Sequence, residues 1–396
     1  MRARGAVHLP LMRFRDGKRL TGYSQPPPDH GGRLKLRWGG MGLILLGIAA
    51  GAALLVVATP LGRYIARAAW EEGKILRARQ PIAALVADPS VDAETRTKLA
   101  LVLEAREYAV DSLALPAGEA FTQFTQLDRD TLVLVLSGAR KDALVAKTWW
   151  FPVVGRLPYK GYFDTDDARR AERALARDGY DTYLRPAAAF STLGWFNDPL
   201  LSSALRADSV DLVNTVIHEL LHNRWFAKGY AVFNESFANF VGARGAERFF
   251  LARGDSVSAQ ASVRRWADDR LLGAYWARLY RGLDSVFNAN SGDSLRSRRL
   301  ALRDSVYADA RRALVDSVAP LFQTIVPGYA AQVRLDNASL LARRIYLTDL
   351  ELFERAFARD SQDLALTIAR IIALARGRPG DPSAALRVWL DSTSTP

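Results

Sequence analysis

Cysteine is absent from the 396 residues, and histidine occurs only four times. The first absence excludes disulfides, thiolate metal ligands, a cysteine nucleophile and a lipid anchor on cysteine. The second makes any close pair of histidines informative. Long apolar runs are scarce too: one stretch, GGMGLILLGIAAGAALLVVAT over 39–59, carries no charge. Apolar residues as a class are plentiful, at 49% of the chain, which is enough to bury a core and excludes a disordered polymer. Net charge is +12, but residues 1–37 hold nine Lys and Arg against Asp16 and Asp29. Most of the basic excess therefore sits in one terminal tail instead of covering a folded face, and no nucleic-acid partner is expected.

About 20 apolar residues in helical geometry cross a hydrocarbon core. Residues 39–60 are accordingly expected to form a single transmembrane helix. The basic, flexible tail 1–38 would lie in the cytoplasm and the rest on the periplasmic or other extracytoplasmic side. Residues 61–125 read as a juxtamembrane helical region broken at Asp88-Pro89. From about residue 130 the pattern changes. TLVLVL (131–136), KTWWFPVV (147–154) and YDTYLR (180–185) are strand-like, with a helix between the last two, capped by Thr165 and stopped at Gly179. After Asp208 nearly everything reads as helix. The fold class expected is α+β, predominantly helical, with a small sheet ahead of the helical part. Residues 126–360 form the main domain, and 361–396 a C-terminal helix and tail.

Residues 214–226, NTVIHELLHNRWF, hold half of the histidine supply. With four His and 12 Glu, a His-Glu-x-x-His string arises by chance in roughly one such chain per thousand. Apolar residues at 210, 213, 216, 217, 220 and 221 recur at helical spacing, which places His218 and His222 on one face. Glu219 lies about 100° around the helix, placed to act on a water without binding the metal itself. The other histidines, His8 and His30, fall in the basic tail, so a zinc site (Zn2+) needs a carboxylate as third ligand. Glu235, at the start of a second helix in AVFNESFANFVG, is the candidate. Asn239, one turn on, is placed to hydrogen-bond the outer nitrogen of a ligand histidine. An oxyanion would need Tyr or Arg, and Tyr230, Tyr275, Tyr280, Tyr329 and Tyr346 are candidates.

HELLH followed by NESFANF resembles the gluzincin pattern of zinc aminopeptidases. Together with KTWWFPVVGRLPYKGYFD (147–164) and FSTLGWFNDPLLS (190–202), it resembles the bacterial predicted-aminopeptidase family of membrane-associated zinc peptidases. The resemblance covers most of 61–360. It implies a zincin-like fold, His218, His222 and Glu235 as zinc ligands, Glu219 as general base, and hydrolysis of the N-terminal bond of a peptide substrate. It also favours Tyr346 among the tyrosines. The chain departs from the family at Trp150 and Arg156, where relatives commonly have cysteine, and at Phe190 and Phe226, where they often keep an aromatic hydroxyl. Three alternatives stay open: a zinc endopeptidase, a non-catalytic zinc-stabilised envelope scaffold with Asp208 or Asp211 as fourth ligand, and an interaction protein without metal.

Overall fold

The computed structural model describes residues 58–392 apart from 130–132, 152–154, 187–198 and 327, together with a few positions between 44 and 54. The chain divides into two units, Met1–Tyr64 and Ile65–Pro396. The expected basic tail and the STLGWF stretch lie outside the described residues, as does most of the apolar run 39–59. The expected transmembrane helix is not upheld: among the described residues no helix is long and apolar enough to cross a membrane. The long helix that does follow the run, α1 (Pro60–Arg77), carries Arg63, Arg67, Glu71, Glu72, Lys74 and Arg77, a charge load that a hydrocarbon core excludes. The membrane partner and the extracytoplasmic placement are withdrawn with it.

The second unit is mostly helical with small sheets, as the sequence pattern indicates. Helix α2 (Ala93–Leu113) starts at Asp92, whose side chain accepts from the Thr95 amide. One of the small sheets that follow is made of β1 (Leu134–Arg140), β2 (Tyr159–Tyr162) and β3 (Tyr180–Pro186). They pair antiparallel in the order β2-β1-β3, with Ser137 opposite both Tyr159 and Tyr183 and Val135 opposite both Gly161 and Arg185. Helix α3 (Thr165–Arg177) connects β2 to β3. Its cap is Asp164, which accepts from the Asp167 amide, and not Thr165 as expected; Gly179, at φ +84°, makes the turn that ends it.

Cross-strand partners and residues two apart share a face of a sheet, so the register sorts the side chains. Gly138 faces α3, where an added Cβ would stand 2.6 Å from Leu175. Tyr159, Ser137, Tyr183, Val135, Arg185 and Asp181 share the opposite face.

The helical part is built on α4 (Ser209–Arg224), α5 (Ala231–Ala252) and α6 (Ser256–Ala289). Asp208 caps α4 through the Val210 and Asp211 amides, and Val210, Leu212, Val213, Val216, Ile217, Leu220 and Leu221 are buried. Helix α5 buries Phe233, Phe237 and Phe240, whose rings meet Phe353 at 5.6, 5.5 and 5.8 Å between centroids. Such aromatic contacts add to the gain from apolar burial. Two glycines let α4 and α5 approach closely. A Cβ on Gly242 would lie 2.8 Å from the Asn214 carbonyl oxygen, and one on Gly245 would lie 2.8 Å from Ile217.

A short helix, α7 (Asn337–Arg344), joins the two parts. It opens with a capping box between Asp336 and Ser339. The Asn337 side chain donates to the Arg140 carbonyl at 2.7 Å, its amide donates to Asp181 at 3.1 Å, and its Oδ1 accepts from the Tyr307 hydroxyl at 2.6 Å. Arg303 pairs with the same Asp181. The inner sheet face is thereby fixed against the helices through buried hydrogen bonds and an ion pair.

Candidate metal centre

Between α4 and α5 the chain must reverse within a few residues. Gly229 supplies a positive φ of +87° that other residues adopt at a cost. The buried Asn234 then clasps the turn: its Oδ1 accepts from the Ala227 amide and its Nδ2 donates to the Ala227 carbonyl, both at 2.8 Å. With the turn held and the glycine seam closed, the first turn of α5 comes beside the last turns of α4.

That places Glu235 against the two histidines. Its Oε2 is 3.4 Å from His218 Nε2 and its Oε1 is 3.7 Å from His222 Nε2. Ligand atoms of all three residues lie within 4.8 Å of one another, and the group is one that could hold a metal ion. The spacing fits: donors about 2.1 Å from a shared ion in tetrahedral array stand about 3.4 Å apart. Two imidazole nitrogens and one carboxylate also match the donor types of an open zinc site. The imidazoles are 5.1 Å apart at 81°, and the three side chains keep 13 to 24% of their surface open. Burial by itself raises the Glu235 carboxyl, but hydrogen bonds and charge from the two histidines outweigh it and hold the pKa at about 2. For His222 burial pulls down, and Glu235 with Glu219 pushes further up, so the net shift is upward. Glu219 therefore stands close enough to His222 to act on its charge.

The other expected residues divide. Asn239 donates to Asp269 at 3.5 Å and to the Tyr346 carbonyl at 3.4 Å. Its described bonds thus go behind the site and not to a histidine ring. Tyr346 does border the cluster. Burial, then the Glu235 charge, pushes its hydroxyl up to about 12. Asp208 and Asp211, the possible fourth ligands of a closed site, are both held by Arg265 at the far end of α4. Phe226 lies 6.1 Å from His222 between ring centroids; Phe190 is outside the described residues.

Sequence reasoning missed two neighbours that the sheet supplies. Tyr159 of β2 is raised by burial and then by the Glu235 charge, which brings it to the cluster. Arg185 of β3 sets its guanidinium carbon 6.0 Å from the Tyr346 ring centre. The signal existed as strand parity, but it becomes usable only once the β2-β1-β3 register is known. Asp269, behind Asn239, is a further group that sequence could not single out. Burial and the charges of Asp211 and Asp268, partly offset by its bond from Asn239, lift it to about 7.

A family model described as "Putative aminopeptidase" matches residues 63–386. The chain belongs to this family. Among curated proteins and solved structures none matches it. Membership of the aminopeptidase family supports a peptidase, and the His-His-Glu group is where a metal would sit in it.

Proposed function

We propose that this member of the aminopeptidase family is a zinc-dependent peptidase that removes residues from the N-terminus of peptides. The observation that carries the reading is the meeting of His218, His222 and Glu235 from two helices, with Glu219 beside them. His218, His222 and Glu235 would hold the ion, and their donor types suit zinc. When bound, zinc supplies Lewis acidity, polarising a carbonyl and lowering the pKa of water to about 7.

The chain's own residues account for the rest. Glu219, on the motif helix but outside the ligand set, takes the proton of the attacking water and passes it to the leaving amine. Tyr346, like any tyrosine, keeps its proton at neutral pH, the more so with its hydroxyl pushed up to about 12, and so remains a donor for the developing oxyanion. The scaffold alternative loses support because Asp208 and Asp211 are engaged by Arg265. The endopeptidase alternative is separated by substrate. The full chain, loaded with zinc, is offered one peptide set with free and with acetylated N-termini, Glu219→Gln serving as the blank. Cleavage restricted to free amines is expected. Equal cleavage of both sets makes it an endopeptidase, and turnover surviving Glu219→Gln removes the general-base role.

A further inference from the structure

Arg185 has no function in the mechanism above, yet it stands beside Tyr346 at the edge of the site. It is half-buried near the end of β3, on the inner face of the sheet that also carries Tyr159. Among the described residues no Asp or Glu forms an ion pair with it, and its side chain hydrogen-bonds the neutral Tyr346. Some half-buried arginines here have acids, as Arg244 has Glu247 and Glu354 and Arg303 has Asp181; others are held by neutral groups, Arg311 by the Ala330 and Val333 carbonyls and Arg343 by the Tyr329 hydroxyl. A guanidinium drawn partly out of water without a counter-charge carries a desolvation cost that an anionic ligand can offset.

Position narrows what that ligand is. The guanidinium carbon stands 6.0 Å from the centre of the Tyr346 ring, and the same ring borders the metal cluster, where the Glu235 charge acts on its hydroxyl. Tyr159 feels both Glu235 and Arg185. Arg185 is therefore about one aromatic ring removed from the cluster. An extended peptide advances roughly 3.5 Å per residue, so one or two residues beyond the cut bond bring a chain end to it. Charge gives the same answer. A divalent ion would be balanced by Glu235 and Glu219, and among the described residues Arg185 has no acid of its own. A planar carboxylate is the group that a guanidinium fork receives best.

We propose that Arg185 receives the terminal carboxylate of the substrate, and that the substrates are short peptides, dipeptides and tripeptides with a free C-terminus. The assignment rests on the peptidase reading but is tested separately from it, by binding. Zinc-loaded full chain carrying Glu219→Gln is titrated calorimetrically with dialanine and trialanine and with the C-terminal amide of each. At least tenfold tighter binding of the acids than of the amides is expected. Adding Arg185→Gln should weaken the acids to the level of the amides and leave the amides unchanged, while Arg185→Lys, with its charge kept, should hold part of the gap. Thermal melting shows whether each variant is folded.

Equal binding of acids and amides to the arginine-bearing protein overturns the assignment, as does binding of neither. So does an Arg185→Gln variant that weakens both alike, the result expected of an oxyanion donor or of a merely structural contact. Product appearing in the calorimeter cell would count against Glu219 as general base, and the acid-to-amide gap would still be read.

Discussion

Replacing Gly242 by alanine tests whether the two ligand-bearing helices are held by close backbone approach. In a helix this change normally gains about 0.5–1 kcal/mol. Here the new methyl would stand 2.8 Å from the Asn214 carbonyl oxygen and closer still to its side-chain oxygen. The side chain can rotate away, but the carbonyl belongs to the backbone of α4 and cannot. Overpacking of this kind costs about 1–3 kcal/mol. The net expectation is a loss of about 1–2 kcal/mol, read as a lower urea midpoint at unchanged slope. Because α4 and α5 would be levered apart, zinc affinity measured against a chromophoric chelator should also fall. Gly282→Ala is the control. Its nearest neighbour is Val306 at 3.6 Å, an ordinary contact, so that variant should keep or gain stability. If Gly242→Ala matched Gly282→Ala in both stability and zinc affinity, the close-approach explanation would be refuted.

Three further outcomes are expected. Asn234→Ala leaves the Ala227 amide and carbonyl without their 2.8 Å partners, which should cost about 1–3 kcal/mol in thermal or urea unfolding and weaken zinc binding by loosening the turn. Zinc at 100 times its dissociation constant should stabilise the protein by about 2.7 kcal/mol, seen as a rise in melting temperature that is lost or reduced in Glu235→Gln; an equal rise in both would remove Glu235 from the ligand set. Burial lifts the Asp269 carboxyl to about 7 in the folded protein, against about 3.9 for an aspartate in the unfolded chain. The folded state then binds more protons between those values, so stability should fall as pH rises from about 4 to about 7 and level off above. Asp269→Asn should abolish that slope and be the more stable form at pH 8, by on the order of a few kcal/mol.

Much of the candidate site is legible in the sequence because it lies on two amphipathic helices. His218, Glu219 and His222 are fixed relative to one another by helix geometry alone, and apolar spacing shows which side of α4 is buried. The turn at Gly229 is legible too, since only a short connection separates His222 from Glu235. What the sequence does not disclose depends on partners far along the chain. Asn234 reads as part of a motif with Glu235, and its clasp on Ala227 appears only once the turn is folded. Asn239 sits on the ligand side of α5, but Asp269 and the Tyr346 carbonyl, 30 and 107 positions away, compete for its amide. Arg185 looks like an ordinary strand-end charge until register turns it inward. The apolar run at 39–59 shows the opposite error. Composition alone suggested a membrane span, and no described helix is long and apolar enough to make one.

The bonding of Asn337 and Asp181 has a consequence for how such a protein can diversify. The residues that would hold the metal all lie on one pair of helices, while Tyr159 and Arg185 stand on a sheet joined to them through a small polar joint. If Arg185 seats the peptide end as proposed, substitutions along the inner sheet face would change which peptides are accepted while the metal-holding helices stay as they are. Descendants of one ancestor could part ways in diet while keeping the same chemistry.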